Sequence, residues 1–367
     1  MNSPNQQQGT IFGHPSGLFT LFFAEMWERF SYYGMRSLLV FYMIKGFLSF
    51  RDTDAYSIYG AYTALVYATP FIGGMLADRL LGARKAVVIG AVLMSMGHLL
   101  MTVEMKWVFM AGLAFLIAGN GFFKPNISTI VGQLYMRIPS RRDSGFTLFY
   151  MGINLGAAMS PLICGYVGET FGWHFGFGLA TAGMLLGLAV FTLPTRAAQF
   201  VILIFSFATA GLLMSLQSNS FQLVVNSLVA VSLLTAGGIS FVALGRGGLP
   251  HDAGAPKNPE LVAQKRIGPI RNDVAVYLGI ALSIPLFMLL VDKNAFTGWV
   301  LLVFGAMAFI WLIVQAVLSP VVARHRLSVI LVLMFFTCFS GRFSSRQAVR
   351  LTILPIATWT EYSRKRW

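Results

Sequence analysis

The sequence predicts an all-α fold, a polytopic helical membrane protein, and three observations carry the prediction. Of 367 residues, 56% are apolar and 11% charged, with a mean hydropathy of +0.71. A soluble domain carries roughly a quarter charged residues, so this chain cannot cover its surface with charge. Apolar stretches of about 18 or more residues recur along most of the length, as membrane-spanning helices require. The in-out alternation of transmembrane barrel strands is absent.

Taken in order, residues 1–16 are polar, Gln-rich and free of Lys and Arg, and read as a tail. They lack the basic start and small-residue cleavage site of a signal peptide, so the first helix is expected to stay. Spans follow at 17–45, 55–77, 84–103, 106–133, 145–168 and 174–193, then a pair at 198–216 and 223–245. A Gly- and Pro-containing charged linker from about 245 to 272 precedes spans at 274–292 and 297–319, and another begins near 326–339. Pro70, Pro125, Pro161 and Pro285 fall inside spans, which membrane helices tolerate when neighbours re-satisfy the freed backbone groups.

Charge sets the orientation. Loops after even-numbered spans hold Arg79, Arg84, Lys85, Arg137, Arg141, Arg142, Arg196, Arg246, Lys257, Lys265, Arg266, Arg271, Arg324 and Arg326, 14 in all; loops after odd-numbered spans hold 4, Lys45, Arg51, Lys106 and Lys293. The even loops and the N-terminus are therefore expected in the cytoplasm. The net charge of +14 is spread over these short loops, which argues against a nucleic-acid partner and for a lipid bilayer. Cys164 and Cys338 both lie in apolar runs, so no disulfide or metal framework is implied.

Ionisable groups inside a membrane helix cost about 2.5–3.5 kcal/mol each at its centre and are functional candidates. The first span holds Glu25, Glu28, Arg29 and Arg36, with Tyr32 and Tyr33 among them. At 100° per residue these positions share an arc of roughly 140°. Such a stripe must face a polar cavity or the protein interior. Glu25 and Arg29, spaced i, i+4, can pair along it, and Glu28 crowds the same arginine. A carboxylate beside an arginine stays ionised, and withdrawing the arginine raises its proton affinity, so proton uptake can be linked to breaking the pair. The alternative is an ion pair that only holds helices together.

Glu25-x-x-Glu28-Arg29-Phe30-x-Tyr32-Tyr33-Gly34 resembles the first-helix motif of the proton-dependent oligopeptide transporters, a branch of the major facilitator superfamily. Gly73-Gly74-Met75-Leu76-Ala77-Asp78-Arg79-Leu80-Leu81-Gly82-Ala83-Arg84-Lys85 resembles the superfamily's loop between helices two and three. Gly119-Asn120-Gly121-Phe122-Phe123-Lys124-Pro125-Asn126-Ile127-Ser128 and Phe149-Tyr150-Met151-Gly152-Ile153-Asn154-Leu155-Gly156 resemble the fourth- and fifth-helix signatures of the peptide branch. The resemblance implies proton coupling through Glu25, Glu28 and Arg29. It implies a peptide site lined by Tyr32, Tyr33, Arg36, Tyr67, Lys124 and Asn154, and gating by Asp78 and Arg84. Fixed charges would take the peptide termini and Asn and Tyr its amides, accepting many side chains. For Lys124 the alternative is a snorkelling lysine, and for Tyr67 simple packing. His98, His174 and His325 read as ordinary polar or boundary histidines. No cofactor or metal is implied; the proton gradient would drive the cycle. No nucleotide loop or nucleophile triad speaks for an enzyme.

By the same resemblance the domains are a tail 1–16, an N-terminal six-helix bundle 17–195, an inserted helix pair 196–245 and a linker 246–273. A second inserted pair 274–320 and the start of a seventh core helix 321–339 follow, then a basic tail 340–367. The implied setting is a bacterial inner membrane, the implied partners short peptides and protons. Family members continue the seventh helix with Phe-Trp-x-x-x-Glu-Gln, whereas this chain reads Phe339-Ser340-Gly341-Arg342-Phe343-Ser344-Ser345-Arg346-Gln347. One coding of that stretch, TTT TCT GGG CGG TTC TCG AGC AGG CAG G, read two bases later gives Phe-Trp-Ala-Val-Leu-Glu-Gln-Ala. The tail is therefore expected to be frameshifted, in the gene or in its sequencing. Proton-coupled symport of di- and tripeptides by alternating access is the leading reading. A same-fold carrier of nitrate or amino-acid-like solutes and a non-transporting remnant stay open beside it.

Overall fold

A bilayer offers the backbone no hydrogen-bonding partners, so each apolar run closes its own bonds as a helix. The computed structural model describes residues 9–336 apart from 137, 217–219, 251, 257–258, 268–269, 326 and 335. The tail 340–367 and residues Arg137, Lys257 and Arg326 lie outside the described residues.

Polarity alone reads 1–16 as a tail, but its described part is a hairpin. β1 (Thr10–Ile11) and β2 (His14–Pro15) pair antiparallel, Thr10 with Pro15 and Ile11 with His14. Phe12 and Gly13 make the reversal, with φ of 53° and 76°, the two-residue turn that matches strand twist.

The bundle follows as α1 (Gly17–Lys45), α2 (Asp52–Leu76), α3 (Ala83–Leu100), α4 (Lys106–Leu134), α5 (Arg142–Ser160), α6 (Tyr166–Phe171) and α7 (Trp173–Thr192). Next come α8 (Thr195–Ser215), α9 (Ser220–Gly245) and a linker holding α10 (Pro259–Ala263), β3 (Lys265–Ile267) and β4 (Ile270–Arg271). α11 (Asn272–Asp292) and α12 (Asn294–Leu318) complete the order. Among the described residues nine helical stretches are long and apolar enough to cross a membrane; α1, 29 residues long, is set apart from them by its charges.

Two spans change their winding along the way. The fifth, expected over 145–168, runs as one helical stretch but not as one α-helix: Pro161 has no N–H to give, and Pro161–Gly165 form a π-helical turn between α5 and α6. The second ends in another π-helical turn, Ala77–Leu81, which carries Asp78 and Arg79. Gly82 follows with φ of 78°, a conformation glycine takes at no steric cost.

α1 packs on α5 and α7 and also meets α9, while α4 packs between α2 and α3 and α3 reaches α7. Small residues allow backbones to touch. A Cβ on Gly73 of α2 would stand 2.1 Å from the Gly121 carbonyl oxygen of α4, and one on Gly156 of α5 2.1 Å from that of Met26 in α1. α8 and α9 pair with each other. α11 lies against α4 and α2, where Val276 and Ile284 join a core with Leu81, Leu93, Ala118 and Phe122. These contacts belong to a compact unit, Met1–Thr297. A second unit, Gly298–Trp367, contains most of α12 and the helical residues 321–325 and 327–334; the expected seventh core helix is described only that far.

Candidate functional site

The middle of α1 is buried where α5 and α7 pack closely on it, and its charges are buried with it. Glu25 is 2% exposed, Glu28 0% and Arg29 3%. Arg29 serves both carboxylates. Its Nε and Nη2 donate in a fork to Glu28, with Nη2 2.6 Å from Oε1, and its Nε stands 3.1 Å from Glu25 Oε1. The other oxygen of Glu25, Oε2, is buried without a hydrogen-bond partner. A buried charge survives only when paired, so one guanidinium for two carboxylates leaves the trio short of positive charge.

Lys124 supplies it. It lies half-buried in the middle of α4, directly before Pro125, and its ammonium is within electrostatic reach of Arg29, Glu28 and Glu25. With both carboxylates ionised, the four groups carry two charges of each sign. The position is not that of a lysine snorkelling from a helix end.

Aromatic rings connect these charges to the open side of the site. The Arg29 guanidinium lies 5.2 Å from the Tyr32 ring centroid, and Tyr32 meets Tyr33 edge-on at 5.4 Å. Lys124 Nζ stands 5.1 Å from the centroid of Tyr67, which is 62% exposed, so packing does not account for this tyrosine. Arg36, one turn beyond Tyr32, donates from Nε to the Tyr59 hydroxyl, its guanidinium 5.6 Å from that ring's centroid. Asn154 is exposed on α5.

Sequence reasoning passes over Tyr59 and Tyr62. Tyr62 is fully buried with an unpartnered hydroxyl and lies in the electrostatic field of Tyr32, Arg36 and Glu28. The available signal was the run Tyr56, Tyr59 and Tyr62 at three-residue spacing on α2.

Known proteins resemble this chain in sequence and in fold. The family model described as the POT family matches residues 84–212. An uncharacterized transporter of Bacillus subtilis (strain 168), YclF, is 48% identical over 194 residues, 52% of this chain and 39% of that protein. A di-/tripeptide transporter of Lactococcus lactis subsp. lactis (strain IL1403) is 44% identical over 196 residues, 51% of this chain and 39% of that protein. The crystal structure of a peptide transporter POT in complex with sulfate superposes with a TM-score of 0.59 at 33% identity, covering 87% of this chain and 56% of that one. A POT family transporter in complex with a thioalcohol-conjugated peptide gives 0.59 at 32%, covering 85% and 55%.

Residues 84–212 of this chain match the POT family, and its fold is similar to that of POT family transporters. The chain spans about 39% of the length of these curated relatives. Asp78 and Arg84 stand apart from the charged centre, at the α2–α3 turn. Asp78 is exposed, and Arg84 is held by the linker: its Nη1 donates to the Pro250 carbonyl at 2.9 Å and its backbone N–H to that of Gly254 at 2.9 Å. Gln133, near the end of α4, fixes the same linker residue by accepting the Gly254 N–H at 2.8 Å.

Proposed function

We propose that the protein takes part in proton-coupled symport of di- and tripeptides by alternating access, with Glu25, Glu28 and Arg29 handling the proton. One observation supports this most: two carboxylates and one guanidinium buried together on α1, with one carboxylate oxygen, Glu25 Oε2, left unpartnered. A proton has a place to go there without a hydrogen bond being broken first. Neutralising Glu25 would leave Arg29 to Glu28 alone and free part of Lys124's field for an incoming anion.

A short peptide brings such an anion. Its carboxylate matches Lys124 and Arg36, and its amides match Tyr32, Tyr33, Tyr67 and Asn154. The cation–aromatic pairs hold the cationic heads near the rings while leaving N–H groups available. The Lactococcus relative's name and the peptide-bound neighbour favour this substrate class over other small anions. No cofactor enters; a proton gradient supplies the drive. Asp78 and Arg84 act in gating, through the linker that Arg84 holds. The site opens within a bacterial cytoplasmic membrane whose basic loops and N-terminus face the cytoplasm.

Uptake of a labelled dipeptide into proteoliposomes, with and without an inward proton gradient, tests the reading. The gradient should accelerate uptake at least about tenfold. Glu25→Gln should abolish that acceleration while exchange of internal for external dipeptide continues. Gradient-independent uptake in the unmodified protein would overturn proton coupling, and uptake of nitrate in place of peptide would reassign the substrate.

A further inference from the structure

We propose that the N-terminal hairpin is a pH-sensitive latch on the junction between α4 and α5, seated while His14 is neutral and loosened when its imidazole takes a proton. The proposal rests on the hairpin's own geometry and holds whether or not the transported solute is a peptide.

The hairpin is tied to the bundle at several points. His14 Nδ1 lies 2.7 Å from the Tyr135 hydroxyl in a buried contact, the two rings edge-on at 5.9 Å. Arg141 Nη1 donates to the Phe12 carbonyl at 3.0 Å, and Arg246 Nη1, just past α9, to that of Thr10 at 3.0 Å. Ser16 closes the segment, its N–H donating to the Gly9 carbonyl at 2.8 Å and its Oγ to that of Gly248 at 3.3 Å. Tyr135 caps the C-terminus of α4, and its ring fills the space above Gly145 of α5, where a Cβ would lie 2.3 Å from the phenol oxygen. The hairpin therefore bears on both helices through one phenol.

That phenol needs an acceptor. A neutral imidazole with its proton on Nε2 provides one at Nδ1; an imidazolium can only donate to the phenol oxygen, which reverses the bond and leaves the phenol's own proton without an acceptor. Burial pushes the Tyr135 hydroxyl up to about 12, Arg141 opposing, so the phenol keeps its proton to donate. His14 is 7% exposed and is held below its ordinary value of 6.5, by burial first and by Arg141 second. An imidazolium here would face Arg141, with Arg246 and Arg142 on the flanking segments. Asp143 begins α5 exposed, and α1 brings no ionisable group before Glu25. A cavity of about 490 Å3 beside His14, lined by Phe12, Phe19, Ser144, Thr147, Leu148 and Ile239, offers no carboxylate. Because the seated state favours neutral His14, its contribution is present above the ordinary histidine value and is lost as pH falls through the depressed one. Acid on the hairpin's side thus loosens the junction of the two helices that carry Lys124 and Asn154.

Hydrogen–deuterium exchange on the full chain in detergent tests this, following amides of 9–16 and 135–145 with intrinsic rates corrected for pH. Protection should be constant above about pH 6.5 and fall by up to about tenfold per pH unit below the titration point. His14→Asn keeps an acceptor that cannot titrate, so its protection should be flat with pH. Tyr135→Phe should lower protection at every pH, and Arg141→Gln should move the midpoint to higher pH. A pH dependence unchanged in His14→Asn, or wild-type protection flat until global unfolding, overturns the latch.

Discussion

α1 and α9 run 29 and 26 residues and touch each other, yet they differ in the polar groups they hold. α1 buries Glu25, Glu28 and Arg29 in its middle, whereas α9 has no charged residue. The outward positions of α9 include Phe221, Leu228 and Val231 beside Ser232 and Thr235, and its Asn226 and Ser240 turn inward. α1 can hold ions because protein encloses it and each ion finds a counter-charge. α9 holds only small polar groups, of which Ser232 and Thr235 donate to the Leu228 and Val231 carbonyls of their own helix and Asn226 to that of Leu213. The contrast teaches that charge inside a membrane is tolerated by enclosure and pairing rather than by helix composition.

The largest test of that contrast is Arg29→Leu. It leaves two buried carboxylates without their shared cation, and the protein should lose about 3–5 kcal/mol of stability, read as a lower midpoint of thermal unfolding in detergent. A loss below about 1 kcal/mol would mean that the trio is not enclosed. Next in size is Gly156→Val, whose added Cβ would meet the Met26 carbonyl oxygen at 2.1 Å. Backbone cannot step aside as a side chain can, so about 1–3 kcal/mol should be lost. In the α8–α9 seam, Gly237→Ala places its Cβ 2.3 Å from Ser206 Oγ, a hydroxyl able to rotate away, and the cost should be smaller. Equal costs at the two glycines would erase the distinction between the α1–α5 seam and the α8–α9 seam. The smallest effect is expected from Asn226→Leu. Its amide donates to the Leu213 carbonyl at 2.8 Å and stabilises the end of α8, so about 0.5–1.5 kcal/mol should go, with gradient-driven uptake unchanged.

Much of the arrangement on α1 was legible in the sequence, because helical periodicity is local. Spacing put Glu25 and Arg29 within reach, and the pair forms. Spacing could not give Arg29's fork to Glu28, an adjacent residue, because that depends on side-chain torsions set by enclosure. Arg36 was legible as a cation on the charged face of α1, yet that its partner is Tyr59 of α2 depends on how the two helices pack. The change of winding after Ser160 was marked by Pro161, but proline also sits inside uninterrupted α-helices at Pro70, Pro125 and Pro285, so the residue alone does not announce a π-helical turn. His14 had no signal: a polar tail becomes a seated hairpin only through Tyr135, Arg141 and Arg246, which lie far along the chain.

By itself the sequence determined the helices, their order and the face of α1 that bears charge. Those features follow from the backbone's need to close its own hydrogen bonds in an apolar medium and from a fixed turn of 100° per residue. Only the tertiary structure decided which carboxylate oxygen stays unpartnered, which ring receives each cation, and that the linker seats on Arg84 and Gln133. Burial and pairing are properties of neighbours brought from distant segments, and no local pattern encodes them.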